Sequence, residues 1–133
     1  MARLGLLMLR KGVWDGKQVL PKNWSTYITT LVTPQNEVHP PQLGVGSRAG
    51  RWGYGVLWWV WDSPGMAGVV TGPYSGAYTA MGANGQYITV LPAADMVVTH
   101  KVDFDEDGRR EVNPEEYSAI LQMVLAANCM ECR

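Results

Sequence analysis

Apolar and polar residues follow different periods in successive stretches of this chain, and the changes of period mark its elements. Over residues 1–11, Leu4, Leu7 and Met8 recur at helical spacing, with Arg10 and Lys11 where a helix end favours cations and Gly12 as a stop. This predicts a short helix. In residues 13–20, Asp15-Gly16 sits between the β-formers Val13-Trp14 and Val19-Leu20, the turn chemistry of a two-residue hairpin. Pro21 suits the first turn of a second helix, with Trp24, Tyr27, Ile28 and Leu31 on its apolar side. Residues 33–53 are rich in Pro, Gly, Gln and Asn and read as a loop too long for a simple connector.

Residues 54–61, Tyr-Gly-Val-Leu-Trp-Trp-Val-Trp, carry no charge and predict one central strand. Three further antiparallel strands are expected over 77–81, 86–91 and 96–102, joined through Gly82-Ala83-Asn84-Gly85 and Pro92-Ala93-Ala94-Asp95. Asn113-Pro114-Glu115-Glu116 then offers a side-chain cap, a proline at the first helical position and acids facing the dipole. Tyr117, Ile120, Leu121, Val124 and Leu125 follow with a 3.6-residue period, so a closing helix is expected. The chain thus divides into helices and a long loop (1–53), antiparallel strands (54–102) and a C-terminal helix (113–127). The expected class is α+β, an antiparallel sheet with flanking helices.

Composition narrows the function. A length of 133 residues bounds one domain, and 11 Lys+Arg against 12 Asp+Glu leave a net charge of −1 with no basic block. That argues against nucleic acid as a partner, because such binding needs clustered cations to displace counterions. No apolar run approaches the roughly 20 residues of a membrane span, and Met1-Ala2-Arg3-Leu4 does not open a complete signal peptide. The compartment stays open. The 6 Trp and 15 Gly suit a strand-rich body with tight turns and heavy aromatic packing.

Nucleophilic catalysis needs a hydroxyl beside a base, and the local arrangements that supply one are missing. The residues three before Lys11, Lys17, Lys22 and Lys101 are Met8, Trp14, Val19 and Val98, so there is no Ser-x-x-Lys turn. Gly72-Pro73-Tyr74-Ser75-Gly76 has its first glycine out of place for Gly-x-Ser-x-Gly, which leaves Ser75 as a turn residue. His39 and His100 are isolated, too few for a metal site. Asp103, Asp105 and Asp107 with Gly108 resemble the start of a calcium loop, but its closing position is Pro114, and a solvated acidic turn is the expectation. Cys129 and Cys132 have redox-pair spacing without a second half, and read as a reduced tail. No metal or cofactor is therefore expected. What remains is Gly82-Ala83-Asn84-Gly85-Gln86, a small-residue turn where a substrate can approach the backbone and meet N–H donors, or an ordinary Asn-Gly hairpin turn.

Several segments agree in order with one family. Residues 1–9 (Met-Ala-Arg-Leu-Gly-Leu-Leu-Met-Leu), 12–21 (Gly-Val-Trp-Asp-Gly-Lys-Gln-Val-Leu-Pro), 54–60, 82–88 and Leu91-Pro92 resemble the C-terminal third of class C β-lactamase-like serine hydrolases. That group includes penicillin-binding-protein-like esterases and the 6-aminohexanoate-dimer hydrolases, whose motifs these are most similar to. The resemblance implies part of a β-lactamase/transpeptidase-like fold and, in a full-length parent, hydrolysis of a small ester or amide through an acyl-enzyme. Its Ser-x-x-Lys and Tyr motifs lie N-terminal to everything in this chain. The strand edge that helps form the oxyanion hole falls on Gly82, Ala83, Asn84, Gly85 and Gln86, with Ala83 the first choice of donor and Gly82 next. The Lys-Thr-Gly form of that edge is absent, which favours an esterase or amide hydrolase over penicillin-like specificity.

Without a nucleophile there is no acyl-enzyme for an oxyanion hole to stabilise, so the chain alone is expected to be inactive. It is also expected to pair with a missing N-terminal portion or with itself, since a partial sheet leaves open edges. The family is often periplasmic or secreted. The alternative is a standalone self-associating interaction or regulatory module.

Overall fold

In a computed structural model of the chain, residues 1–38, 52–62, 72–103 and 110–128 are described. Helix α1 (Ala2–Leu9) ends in a Schellman turn: Lys11 N–H donates to Met8 O (3.0 Å) and Gly12 N–H to Leu7 O (2.8 Å). The left-handed residue of this cap is Lys11 (φ +52°), one position before the expected stop, and Gly12 follows at φ +83°. The Asp15-Gly16 hairpin forms as expected. β1 (Val13–Trp14) pairs with β2 (Lys17–Gln18), and both turn residues take positive φ, as a two-residue turn of this hand requires.

The second helix is shorter than its pattern suggests and presents another face. Only Trp24–Ile28 is helical (α2), with Ser25 and Ile28 buried, while Trp24 and Tyr27 lie exposed. The physical reason is at its end, where the hydroxyls of Thr29 and Thr30 donate back to Ser25 O (2.8 Å) and Thr26 O (3.1 Å) and compete with continuation of the helix.

Five strands form one antiparallel sheet whose spatial order is the chain order: β3 (Trp52–Tyr54), β4 (Trp59–Trp61), β5 (Tyr78–Gly82), β6 (Gln86–Leu91) and β7 (Met96–His100). The single central strand expected over 54–61 is instead a hairpin at one side of the sheet, and β5 takes the centre. The chain reverses through Leu57 (φ +63°), with Gly55 N–H donating to Trp58 O (2.8 Å). Edge-on rings on facing strands hold it closed, Trp52 on Trp61 with centroids at 5.0 Å and Tyr54 on Trp59 at 4.9 Å. Gly55 lets the turn lie against α2, since a β-carbon there would stand 2.8 Å from the carbonyl oxygens of Ile28 and Thr30.

Strand alternation sends successive side chains to two helical layers. On one face Tyr78, Val60 and Val90 pack with Met8 of α1 and Ile28 of α2, and Gly5 brings α1 directly onto Val97 and Ile88. On the other, Tyr87 packs with Tyr117 and Leu121 of α3 (Pro114–Ala127), beside a cluster of Trp52, Ala77 and Leu91. The closing helix carries the cap predicted for it: Glu116 N–H donates to Asn113 Oδ1 (2.9 Å) and Asn113 N–H to Glu116 Oε2 (3.1 Å). The result is the expected α+β architecture, a sheet with helices on both faces.

Candidate functional site

The turn singled out in the sequence closes β5 onto β6. Gly82 pairs with Gln86, and Ala83–Gly85 make the tight turn between them. Asn84 (φ +62°) and Gly85 (φ +79°) both enter the left-handed region, which Asn tolerates and Gly adopts freely. Gly85 is required for a second reason: a β-carbon there would lie 2.9 Å from both N and O of Val112.

The back of the turn is braced by side chains. His100 Nδ1 lies 2.8 Å from Gly85 O and must carry its hydrogen to bond a carbonyl. Gln86 Nε2 donates to Val102 O (2.9 Å), and Tyr87 OH donates to Val112 O (2.9 Å). His100 is thus a structural pin between β7 and the turn. The front is open, with Gly82, Ala83 and Asn84 exposed.

The edge of β5 leading into the turn is open as well. Trp61 N–H donates to Ala77 O (2.9 Å), which sets the alternation so that Ala77, Thr79 and Met81 direct their backbone groups toward β4. Pairing with β4 stops at Thr79, so Met81 has no strand opposite it among the described residues. Gly82 faces the other way, toward β6. Gly82 is itself extended (φ −96°, ψ 164°), so alternation turns the Ala83 N–H to the same open side as that of Met81. A substrate oxygen approaching this edge would meet the amides of Met81 and Ala83 on a backbone fixed from behind. Met81 escaped the sequence reading because the direction an amide faces depends on which strand lies beside it and where that pairing ends.

Other candidates fare differently. Ser75 closes a turn, its N–H donating to Gly72 O (3.0 Å). His39, Asp105, Asp107, Cys129 and Cys132 lie outside the described residues, and so does most of the acidic turn. Among the described residues no group of three or more His, Cys, Asp or Glu could hold a metal ion, and no helix is long and apolar enough to cross a membrane. Thr79, Thr89 and Tyr117 form a buried hydroxyl chain behind the sheet (Oγ1 to Oγ1 2.8 Å, Thr89 Oγ1 to Tyr117 OH 2.7 Å). It ends on the carbonyls of Ile88 and Val98, with no strong base in it. Burial pushes the phenol of Tyr117 up to about 12, so it stays protonated.

No protein-family profile matches the chain, and no curated protein does. Among solved structures it is similar to one described as a 6-aminohexanoate-dimer hydrolase from Bacillus anthracis. The TM-score is 0.56 at 24% identity, and the match covers 96% of this chain and 27% of that one. The likeness is one of fold: the sheet and its helices form part of a β-lactamase-like fold, and the chain spans 27% of the length of the structure it matches.

Proposed function

We propose that this chain is the C-terminal segment of a β-lactamase-like serine hydrolase, forming one wall of the substrate cleft and supplying an oxyanion-hole donor. The observation that carries this reading is the open β5 edge, where the amides of Met81 and Ala83 border a turn braced by His100, Gln86 and Tyr87. Preorganised amides of this kind stabilise a developing oxyanion and are worth roughly 10²–10³-fold in rate once a nucleophile is present. In this reading Ala83 is the principal donor and Met81 the second, with Gly82, Asn84, Gly85 and Gln86 shaping the turn. The nucleophilic Ser, its Lys and the Tyr come from a portion N-terminal to these residues. The substrate in this reading is a small ester or amide, and the similar structure is described as a 6-aminohexanoate-dimer hydrolase.

Two measurements test this. The purified chain with nitrophenyl acetate should show no rate above buffer; a rate well above buffer that is lost in Ala83→Pro overturns the inactive assignment. Sequencing of the gene on the 5′ side of the Met1 codon should show a Ser-x-x-Lys motif followed by a Tyr motif. Their absence there overturns the assignment to a hydrolase segment.

A second reading, a self-associating module, is favoured by one observation: Leu57, Val32 and Tyr27 are 80%, 64% and 55% exposed around α2 and the β3–β4 turn. Light scattering that finds a folded dimer with a sharp thermal transition supports it, and a folded monomer removes it.

A further inference from the structure

Where α1, α2 and the start of β5 meet, a cleft of about 160 Å³ holds polar groups that the other described residues do not use. Tyr78 lines it. This residue is 4% exposed, its ring meets Trp58 edge-on at 5.2 Å, and its hydroxyl bonds to no described residue. Among the described residues no fully enclosed side-chain N or O lacks a partner, so the Tyr78 hydroxyl reaches the space of the cleft. Ser25, 8% exposed, stands in the same position: its backbone carbonyl accepts from Thr29 Oγ1, while its own Oγ bonds to none of the described residues. Thr26 and Lys11 add a hydroxyl and an ammonium, neither of them bonded or ion-paired among the described residues, the latter set at the cleft by the left-handed cap of α1.

All four groups can donate a hydrogen bond, the ammonium can only donate, and no Asp or Glu lines the cleft among the described residues. What the cleft lacks, among the described residues, is negative charge. Met8 and Leu9 give it an apolar wall. Its volume equals that of about five waters, well below the roughly 300 Å³ at which pockets for drug-sized ligands begin. A single cation with an apolar wall suits a monoanion that has a short tail better than a dianion.

The geometry points to this cleft as a binding site for a short-chain monocarboxylate, its head group on Tyr78, Ser25, Thr26 and Lys11 and its alkyl chain against Met8 and Leu9. Burial holds the Tyr78 phenol well above the usual tyrosine range, so it remains a donor at neutral pH. Tyr78 stands roughly 13 Å along β5 from Gly82, and the site does not depend on the hydrolase reading.

The test is a titration of the full chain with sodium butyrate, followed by amide chemical shifts, with butyramide and inorganic phosphate as comparisons. Butyrate should give saturable shifts at Lys11, Ser25, Thr26 and Tyr78, and butyramide none. Tyr78→Phe should weaken butyrate binding about tenfold while leaving the melting temperature unchanged, because the hydroxyl has no partner among the described residues to lose. Lys11→Gln should weaken binding and remove its salt dependence. The proposal is overturned by shifts that do not saturate, by equal binding of butyramide, or by tighter binding of phosphate. Undiminished binding in Tyr78→Phe, or a lowered melting temperature in that variant, overturns it too.

Discussion

The rings of Tyr87 and Tyr117 lie stacked with centroids 4.0 Å apart and planes within 7° of parallel, joining β6 to α3 directly behind the β5–β6 turn. Tyr117 also anchors the buried hydroxyl chain, its OH 2.7 Å from Thr89 Oγ1. Tyr117→Phe keeps the stack and removes the hydroxyl, so it should cost about 1–2 kcal/mol in denaturant unfolding. Tyr117→Ala removes both and should cost about 3–5 kcal/mol. Equal losses in the two variants would show that the hydroxyl, not the stack, holds this junction.

The same two tyrosines set an alkaline limit. Burial pushes both phenols up to about 12, helped at Tyr87 by the charges of Glu111 and Glu116, whereas an unfolded chain releases these protons at about 10. The folded-state values are the raised ones, so the stabilisation is complete below pH about 10 and is lost as pH rises through about 12. Thermal unfolding across this window should show a falling melting temperature, and the fall should shrink in Tyr87→Phe. An unchanged melting temperature up to pH 12 would contradict it.

At the turn, Gly85→Ala forces a side chain into a positive-φ site and against the Val112 backbone. The expected cost is about 2–4 kcal/mol, with chemical-shift changes reaching residue 112. Asn84→Gly, by contrast, should change stability by less than about 1 kcal/mol, because Asn already tolerates this conformation. A mild Gly85→Ala variant would mean that the turn is looser than its contacts imply.

Lys11 holds the left-handed position of the α1 cap without being a glycine. Lys11→Gly should therefore raise stability by about 0.5–1 kcal/mol, measured by chemical denaturation. A destabilised variant would show that the lysine side chain contributes more through packing than its backbone conformation costs.

Much of this architecture was legible in local chemistry. Asp15-Gly16, the Asn113/Glu116 cap and the Gly82–Gln86 turn each rest on residues whose backbone preferences or side-chain reach act within four positions, so their geometry follows from neighbours in sequence. The hairpin at Leu57 was hidden because no turn-forming pair marks it: aromatic contacts between β3 and β4 and the close approach of Gly55 to α2 impose the reversal. The face of α2 was misread for a related reason, since Trp24 and Tyr27 are apolar yet Ser25 and Ile28 meet the sheet. At the candidate site the Gly82–Gln86 turn follows from local preferences, whereas the open edge at Met81 and the braces from His100 and Gln86 depend on strand order and the end of β4 pairing, which periodicity does not encode.

Because each strand of the five pairs with the next one along the chain, no ladder waits for a distant segment to arrive. The β5–β6 hairpin, with only three residues between paired positions, closes at little entropic cost and is the natural place for the sheet to nucleate, with β4 and β7 adding from either side. The docking of α1 is another matter. Gly5 meets Val97 across some 90 residues of sequence, so that contact forms only after a large loop has closed. Substitutions at Gly5 or Val97 should therefore speed unfolding far more than they slow folding, whereas those at Thr79 or Thr89 should act mainly on the folding rate.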